Sequence, residues 1–70
     1  MNFSEALKAM KMGNKVSREA WRGTVSYLQV FFNEHDNTHE LNEFRPDGSS
    51  SVIAAIDVED ILANDWWLVT

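Results

Sequence analysis

The sequence predicts an α+β fold in which an N-terminal helix packs on a small antiparallel β-sheet and a short helix lies near the C-terminus. Apolar residues recur at helical spacing in residues 3–10, which indicates one amphipathic helix. β-branched and aromatic residues dominate residues 24–32, apolar and polar residues alternate over residues 40–45, and short apolar runs follow at residues 52–56 and 66–69. Such runs, separated by polar turn residues, are typical of strands.

The N-terminal helix is predicted over residues 3–12. Asn2 is followed three residues later by Glu5, a spacing typical of a capping box in which Asn takes the place of Ser or Thr. Gly13 supplies the C-terminal stop, because a left-handed backbone costs glycine least. The apolar face of this helix is formed by Phe3, Ala6, Leu7 and Met10.

The strand over residues 24–32 is the most strongly predicted one, and neither of its faces is purely polar. Side chains alternate between the two faces of a strand. One face carries Val25, Tyr27, Gln29 and Phe31, and the other carries Thr24, Ser26, Leu28, Val30 and Phe32. We therefore expect the helix to cover one face and a second subunit to cover the other.

Turns, an extended segment and a short helix are predicted between the main elements. Pro46-Asp47-Gly48 is predicted to be a turn, because proline presets φ and glycine accepts the left-handed conformation that other residues resist. Asp57 is predicted to cap a short helix over residues 58–63. The remaining connections are predicted as a short extended segment at residues 15–18, a tight turn at 19–23 and a polar turn at 33–39.

The composition indicates one small domain, spanning residues 1–70, that gains stability by association. Of the 70 residues, 44% are hydrophobic, including three Trp and four Phe. A domain of this size is marginal alone, since it buries only roughly 60% of its unfolded surface. The chain has no cysteine, which excludes disulfides and thiolate-bound metal as stabilising cross-links. Because small chains without such cross-links often associate, we expect a homo-oligomer.

The net charge of −5 argues against a nonspecific binder of DNA or RNA. The charge is unevenly spread, because residues 1–22 carry five Lys or Arg and two Glu, whereas residues 23–70 carry one Arg and nine acids. A small anionic ligand would be favoured near the basic part. No run approaches the ~18 apolar residues of a membrane span, and the chain starts with an amphipathic helix rather than a secretory signal. We therefore expect a cytoplasmic protein without membrane partners.

Two clusters that combine Trp with charged residues lie in opposite halves of the chain. Arg18 and Trp21 are three residues apart, so the guanidinium could clamp a phosphate while the indole stacks on a base. The alternative is a core anchor at Trp21 and a surface ion pair at Arg18. Trp66 and Trp67 are adjacent and face opposite ways in a strand, which leaves at most one of them for a single core face.

Other polar residues allow both a ligand-binding and a structural interpretation. Asp57, Asp60 and Asp65 either have structural roles or hold a ribose hydroxyl pair or an adenine amine. Nothing beside these carboxylates supplies a nucleophile for acid–base catalysis. Ser49 and Ser51 could donate hydroxyls to a phosphate or ribose, or belong to a solvated loop.

Metal and catalytic sites are not predicted. His35, Asp36 and His39 are metal-ligand types, but they lie in a polar turn, whereas a structural zinc site needs four well-placed ligands. The three glycines are isolated, so the sequence has no glycine-rich phosphate loop, and no Ser lies in a nucleophile-elbow motif. We therefore expect no metal, no cofactor and no catalytic residues.

Two motifs carry a family resemblance. The first consists of Phe3-x-Glu5-Ala6-Leu7 followed by Gly13-x-Lys15-Val16-x-Arg18-x-x-Trp21-x-Gly23, and the second is Asp60-Ile61-Leu62-Ala63-x-Asp65-Trp66. Together they resemble a family of phage and prophage proteins, the second type of Thoeris anti-defence sponge. The resemblance covers nearly the whole chain and is weakest over residues 24–56.

The resemblance implies a function. Members of this family sequester cyclic ADP-ribose-type immune signals, notably the glycocyclic isomer made by TIR-domain enzymes, and some relatives take up cyclic oligonucleotides made by cGAS-like enzymes. They act as tetramers with pockets between subunits and do not cleave the signal. The resemblance thus implies a tetramer that binds such a signal in the cytoplasm of an infected bacterial host and blocks anti-phage defence.

Our hypothesis from the residues and the resemblance together assigns roles to individual residues. Arg18 is expected to bind phosphate, Trp21 or Trp66 to stack on the base, and Asp60 or Asp65 to hold a sugar or base edge. The expected ligand-binding set is completed by Arg22, Ser49 and Ser51.

The chain departs from the family pattern at two places, and two other functions remain open. Arg22 stands where a small amide residue is common before Gly23, and Trp67 doubles the Trp at position 66. The first alternative function is a small protein-interaction module that docks through its Trp-rich C-terminal tail. The second is an enzyme that hydrolyses the same signal.

Overall fold

The computed structural model describes residues 1–53 and 55–70, which form two helices and one five-stranded antiparallel sheet. The predicted α+β class is confirmed. The sheet has the strand order β4-β3-β2-β1-β5, so the last strand of the chain lies beside the first. The elements are α1 (Phe3–Lys11), β1 (Lys15–Arg18), a 3₁₀ helix (Glu19–Trp21), β2 (Tyr27–Asn33), β3 (Thr38–Phe44), β4 (Ser50–Ile53), α2 (Val58–Leu62) and β5 (Trp66–Val69).

Helix α1 has the predicted caps at both ends. The Asn2 side chain accepts a hydrogen bond from the Glu5 amide (2.9 Å), and the Glu5 carboxylate accepts one from the Asn2 amide (3.0 Å), which completes the capping box. The helix ends at Lys11, one residue earlier than predicted. Gly13 follows with φ +87°, and its amide donates to the Met10 carbonyl oxygen (2.9 Å), as in a Schellman motif.

The hydrophobic core lies between α1 and the strands β1, β2 and β5. Val16 on β1 is opposite Leu28 on β2 and Leu68 on β5, which places these three side chains on the face that α1 covers. The fully buried apolar residues are Ala6, Met10, Val16, Leu28 and Trp66. The end of the chain is therefore part of the core.

Strand β2 begins at Tyr27, three residues later than predicted. The amides of Thr24 and Val25 both donate to the carbonyl oxygen of Trp21, at 2.9 and 3.1 Å. These residues are used to close the turn after the 3₁₀ helix, so they are not free to join the ladder. Strand propensity at Thr24 and Val25 is overridden by this local turn, whereas the Ser26 amide already donates to the Phe44 carbonyl oxygen at 2.8 Å.

Strand β3 begins at Thr38, two residues earlier than predicted. Thr38 pairs with Asn33 across a short hairpin in which Asn37 has φ +54°, a conformation that Asn tolerates better than most residues. The predicted polar turn at residues 33–39 is therefore shorter, because its ends extend the ladder. The predicted turn at residues 46–48 is confirmed, and Gly48 has φ +87° there.

Strand β4 also begins two residues earlier than predicted, at Ser50. Ser50 and Ser51 pair with Phe44 and Glu43 of β3, so β4 begins directly after the turn. Of the predicted strand over residues 52–56, residue 54 lies outside the described residues. Residues 55 and 56 are not part of the strand.

Helix α2 is confirmed, but the predicted capping role of the Asp57 side chain is wrong. Asp57 occupies the N-cap position, and its carbonyl oxygen accepts hydrogen bonds from Asp60 and Ile61 (3.0 and 3.1 Å). Its side chain makes no capping hydrogen bond to the described residues. Asp57 is exposed, so water can solvate the carboxylate instead. The helix ends at Leu62, one residue before the predicted end.

The opposite face of the sheet carries an aromatic cluster. Tyr27 stacks on Phe44 with ring centroids 4.5 Å apart, Phe31 lies 6.2 Å from Phe44, and the Lys15 ammonium lies 4.8 Å from the Tyr27 ring centre. Trp67 projects on this face, opposite to Trp66, as predicted from their adjacency. We call this surface, defined by Tyr27, Phe31, Phe44, Val52 and Trp67, the aromatic sheet face.

Neither helix in the described part of the chain has the length and apolar character needed to cross a membrane.

Candidate ligand cleft and its ion pairs

Arg18 lies at the end of β1 and joins two carboxylates from the C-terminal part of the chain. Its Nε donates to Asp65 Oδ1 at 2.7 Å, and its Nη1 donates to Asp60 Oδ1 at 2.5 Å. The hydrogen bond with Arg18 holds the pKa of Asp65 below its usual range, and the bonds to Asp65 and Asp60 raise the pKa of Arg18. The side chains of Arg18 and Asp60 are only 16% and 15% exposed, so this ion pair is largely shielded from water.

Asp65 also holds the 3₁₀ helix that carries Trp21. Its second carboxylate oxygen, Oδ2, accepts a hydrogen bond from the Ala20 amide at 3.1 Å. Its carbonyl oxygen accepts one from the Glu19 amide, also at 3.1 Å. Asp65 is therefore bonded to Arg18 on one side and to the backbone of the 3₁₀ helix on the other.

Trp66 lies in the core of the chain. It is 1% exposed, and its indole Nε1 donates to the carbonyl oxygen of Asp60 at 2.8 Å. Its ring meets Trp21 edge to face with centroids 5.1 Å apart, and Phe3 packs against it at 5.5 Å. Within one chain, Trp66 has no free ring face for a base, so of the two Trp residues expected to stack on a ligand, Trp21 is the accessible one.

A cleft of about 230 Å³ contains two of the sequence-predicted site residues, Trp21 and Asp60. It is bounded by the 3₁₀ helix, the sheet and the segment that leads into α2. Its walls combine an indole and apolar side chains with three acidic residues, and they include Trp21, Leu28, Ile56, Glu43, Asp57 and Asp60. Two larger hollows, of about 510 and 700 Å³, contain none of the predicted site residues.

The lining of this cleft favours hydrogen-bond donors over phosphate. Among its described lining residues, every ionisable side chain is acidic, and the nearby guanidinium groups are engaged: Arg18 with Asp60, and Arg45 with Glu43 at 2.6 Å. Carboxylates accept hydrogen bonds from hydroxyl and amine groups, whereas they repel phosphate oxygens. The cleft is therefore suited to a sugar or a base edge that lies beside an indole.

Arg45 is a polar centre that sequence reasoning missed. Its Nε donates to Ser49 Oγ (2.8 Å), and its Nη1 donates to both Glu43 (2.6 Å) and Ser51 Oγ (3.1 Å). The two predicted serines are thus brought together around Arg45, next to the cleft residue Glu43. Arg45 is the one basic residue between 23 and 70, and that isolation just before the Pro-Asp-Gly turn was the available signal.

Ser49 is also tied to the turn. Its hydroxyl donates to Asp47 Oδ1 at 2.6 Å, and its amide donates to the same oxygen at 2.8 Å. These bonds, the hydroxyl one foremost, lower the pKa of Asp47. Arg22 lies apart from both groups, because its Nε pairs with Glu19 at 2.5 Å and its side chain is 73% exposed.

Metal-binding geometry is not found in the described part of the chain, where no three His, Asp or Glu side chains converge on a point that could hold an ion. The carboxylates of Asp60 and Asp65 converge instead on the Arg18 guanidinium.

A family model matches almost the entire chain. The model describes the Tad2-like, Thoeris anti-defense 2-like domain, and it covers residues 1–69. The chain belongs to this family. The resemblance inferred from the two end motifs is thereby confirmed, and membership in the Thoeris anti-defense 2-like family indicates a role against Thoeris defence. A search of curated proteins returned no match.

Proposed function

We propose that this protein binds and sequesters a cyclic nucleotide immune signal, of the ADP-ribose type or a cyclic oligonucleotide, and does not cleave it. Family membership supports the anti-defence role. The observation that supports a nucleotide ligand is the cleft in which the Trp21 indole lies near the carboxylates of Asp57 and Asp60. An indole and carboxylates together match the two parts of a nucleoside, a flat base and a sugar rich in hydroxyl groups.

In this proposal, Trp21 stacks on the base, and Asp60 or Asp57 accepts hydrogen bonds from a ribose or from an adenine amine. Base–aromatic stacking contributes about 1–3 kcal/mol. Hydrogen bonds that involve a charged group contribute about 1.5–3 kcal/mol each. One stacked base and three such hydrogen bonds together contribute about 5–12 kcal/mol. Nanomolar binding, about −12 kcal/mol, therefore requires a preformed pocket in which these contacts act at the upper end of their range. Sequestration requires no more than this, because it needs affinity and no chemical step.

The phosphates of the ligand require cations that the cleft lining of one chain does not supply. Basic residues are concentrated in residues 1–22. We propose that a second subunit brings this basic part to the cleft, so that the complete pocket lies between subunits.

We propose that the aromatic sheet face forms a second contact between subunits, separate from the contact at the cleft. Phe31, Val52 and Trp67 on this face are exposed in the single chain, although large apolar side chains are usually covered. A contact through this face and a separate contact at the cleft are two different two-fold interfaces. Two such interfaces generate a tetramer with closed symmetry.

The first test is calorimetric titration of the purified protein with glycocyclic ADP-ribose, with linear ADP-ribose as the control ligand. Tight binding of the cyclic form alone, at fewer than one molecule per chain, is expected. Ligand recovered intact after the complex is heated would exclude hydrolysis. Absence of heat with this ligand and with cyclic oligonucleotides would reject the sponge and favour a protein partner for the exposed Trp67.

Two acidic residues at the start of α2, one at the N-cap and one in the first turn, provide a matched pair of variants. Asp57 lines the cleft, whereas Glu59 is exposed and does not line it. Asp57→Asn should weaken binding of the cyclic nucleotide, and Glu59→Gln should not. Equal affinity of both variants and the unmodified protein would place the ligand elsewhere.

The proposed contact through the aromatic sheet face can be tested with a second matched pair of variants. Phe31 and Phe32 are adjacent, similarly exposed (43% and 52%), and on opposite faces of β2. Phe31→Lys should reduce the mass measured by sedimentation, because Phe31 belongs to the aromatic sheet face, and Phe32→Lys should reduce it less. The reverse order would move the contact to the face that carries α1.

A further inference from the structure

We infer that Arg18 is a positioning residue, which fixes both walls of the cleft and does not itself hold the phosphate of the ligand. This inference rests on the proposed function, because it assigns how the same cleft is kept ready for a nucleotide. It replaces the phosphate-binding role that the family resemblance implies for Arg18.

The first wall is Asp60. Its side-chain Oδ1 accepts a hydrogen bond from Arg18 Nη1 at 2.5 Å, and its carbonyl oxygen accepts one from the buried Trp66 indole at 2.8 Å. Asp60 is thus held at both its side chain and its backbone. A carboxylate that is held in this way loses little conformational freedom when it accepts a ligand hydroxyl, which favours affinity.

The second wall is Trp21. Arg18 Nε holds Asp65 at 2.7 Å, and the other oxygen of Asp65 holds the Ala20 amide at 3.1 Å. Ala20 precedes Trp21 in the 3₁₀ helix, so the chain of contacts from Arg18 reaches the residue next to the indole. One guanidinium therefore connects the stacking wall to the carboxylate wall.

The same contacts argue against a phosphate at Arg18. Two carboxylates surround one guanidinium, so the local charge is negative and a phosphate would have to displace Asp60 or Asp65. The Arg18 side chain is also only 16% exposed. A planar guanidinium can donate in two directions to two separate carboxylates, which the single ammonium of lysine cannot reproduce with the same geometry. The arrangement thus depends on the two donor directions of the arginine guanidinium and not only on its charge.

The test compares Arg18→Lys with Glu59→Gln, a control at an exposed residue that does not line the cleft. Each protein is titrated with glycocyclic ADP-ribose and with adenosine, which has no phosphate. NMR spectra of the ligand-free proteins report the Ala20 amide and the Trp66 indole N–H. The unmodified protein is titrated first with glycocyclic ADP-ribose, so that a failure of the proposed function is seen separately.

If Arg18 has a positioning role, Arg18→Lys should lower the affinity for both ligands by the same factor, at least about tenfold. This role also predicts shifted Ala20 and Trp66 signals in the folded, ligand-free variant, whereas Glu59→Gln leaves affinity and both signals unchanged. A loss confined to glycocyclic ADP-ribose would assign Arg18 to the phosphate and overturn the inference. An equal loss with unshifted signals would overturn it as well.

A second variant keeps the inference testable if Arg18→Lys does not fold. Asp65→Asn retains the Arg18 charge but removes the ionic anchor between Arg18 and the 3₁₀ helix. Positioning predicts an equal loss of affinity for glycocyclic ADP-ribose and adenosine in this variant. A gain of affinity for glycocyclic ADP-ribose alone would show that the freed guanidinium binds phosphate, contrary to the inference.

Discussion

Replacement of Trp66 by Phe tests whether the C-terminal strand is part of the core. Trp66 is 1% exposed and donates to the Asp60 carbonyl oxygen at 2.8 Å, so the change removes a hydrogen bond and several buried ring atoms. The lost hydrogen bond costs about 1 kcal/mol, and the lost burial and residual cavity cost about 1–2 kcal/mol. We therefore expect Trp66→Phe to lower the free energy of unfolding by about 2–3 kcal/mol. For a domain of this size, that corresponds to a Tm lower by roughly 10–20 °C.

The matched control is Trp67→Phe, which makes the same chemical change one residue away on the opposite face. Trp67 is 42% exposed, so its replacement should cost less. Its effect should also grow with protein concentration if the aromatic sheet face is a subunit contact, whereas the effect of Trp66→Phe should be present at all concentrations. Thermal and urea denaturation followed by circular dichroism measure both. An equal or larger loss in Trp67→Phe would refute the assignment of Trp66 to the core.

Three further predictions concern local features. Asn2→Ala removes the capping box and should lower the free energy of unfolding by about 1 kcal/mol in urea denaturation, whereas Asn2→Ser should not. Gly13→Ala should lower it by about 1–2 kcal/mol, because φ is +87° there although the space is open; Gly13→Asn should lower the Tm less, and equal Tm values would contradict this. The pKa of Asp65 is lowered by Arg18, so this pair stabilises the fold fully above the pKa of the unfolded carboxyl group and loses that effect as pH falls through the lower folded pKa. Urea denaturation across the acid range should therefore show a flatter pH dependence for Asp65→Asn, and an unchanged slope would contradict the ion pair.

Features that depend on neighbouring residues could be predicted from the sequence. The capping box at Asn2, the helix stop at Gly13 and the opposite directions of Trp66 and Trp67 each follow from spacings of one to three residues. The starts of the strands are predicted less accurately. Strand propensity does not show that the amides at the predicted start of β2 donate to the Trp21 carbonyl oxygen instead of to a neighbouring strand. Hydrogen bonds within the turn that precedes β2 therefore set where the strand begins.

The pairing of distant residues could not be predicted from pattern alone. Arg18 meets Asp60 and Asp65 across 42 and 47 residues, and nothing in the periodicity of either segment specifies the partner. The same applies to the strand order, which places β5 beside β1. The sequence singles out both Trp-containing clusters, but it does not show that Trp66 is buried and Trp21 is accessible. The oligomeric state, the ligand and the extent of the domain stay predictions.

The position of β5 beside β1 has a consequence for how the chain is made. The β2–β3–β4 meander consists of neighbouring strands, so it can pair as soon as its residues have been synthesised. The core cannot close at that stage, because Trp66 is synthesised after the meander, at a rate of about 5–20 residues per second. A chain that stops before residue 66 lacks both the central core side chain and the indole that holds Asp60. Premature termination would thus leave an open meander that cellular proteases can degrade, and only chains that include β5 would persist.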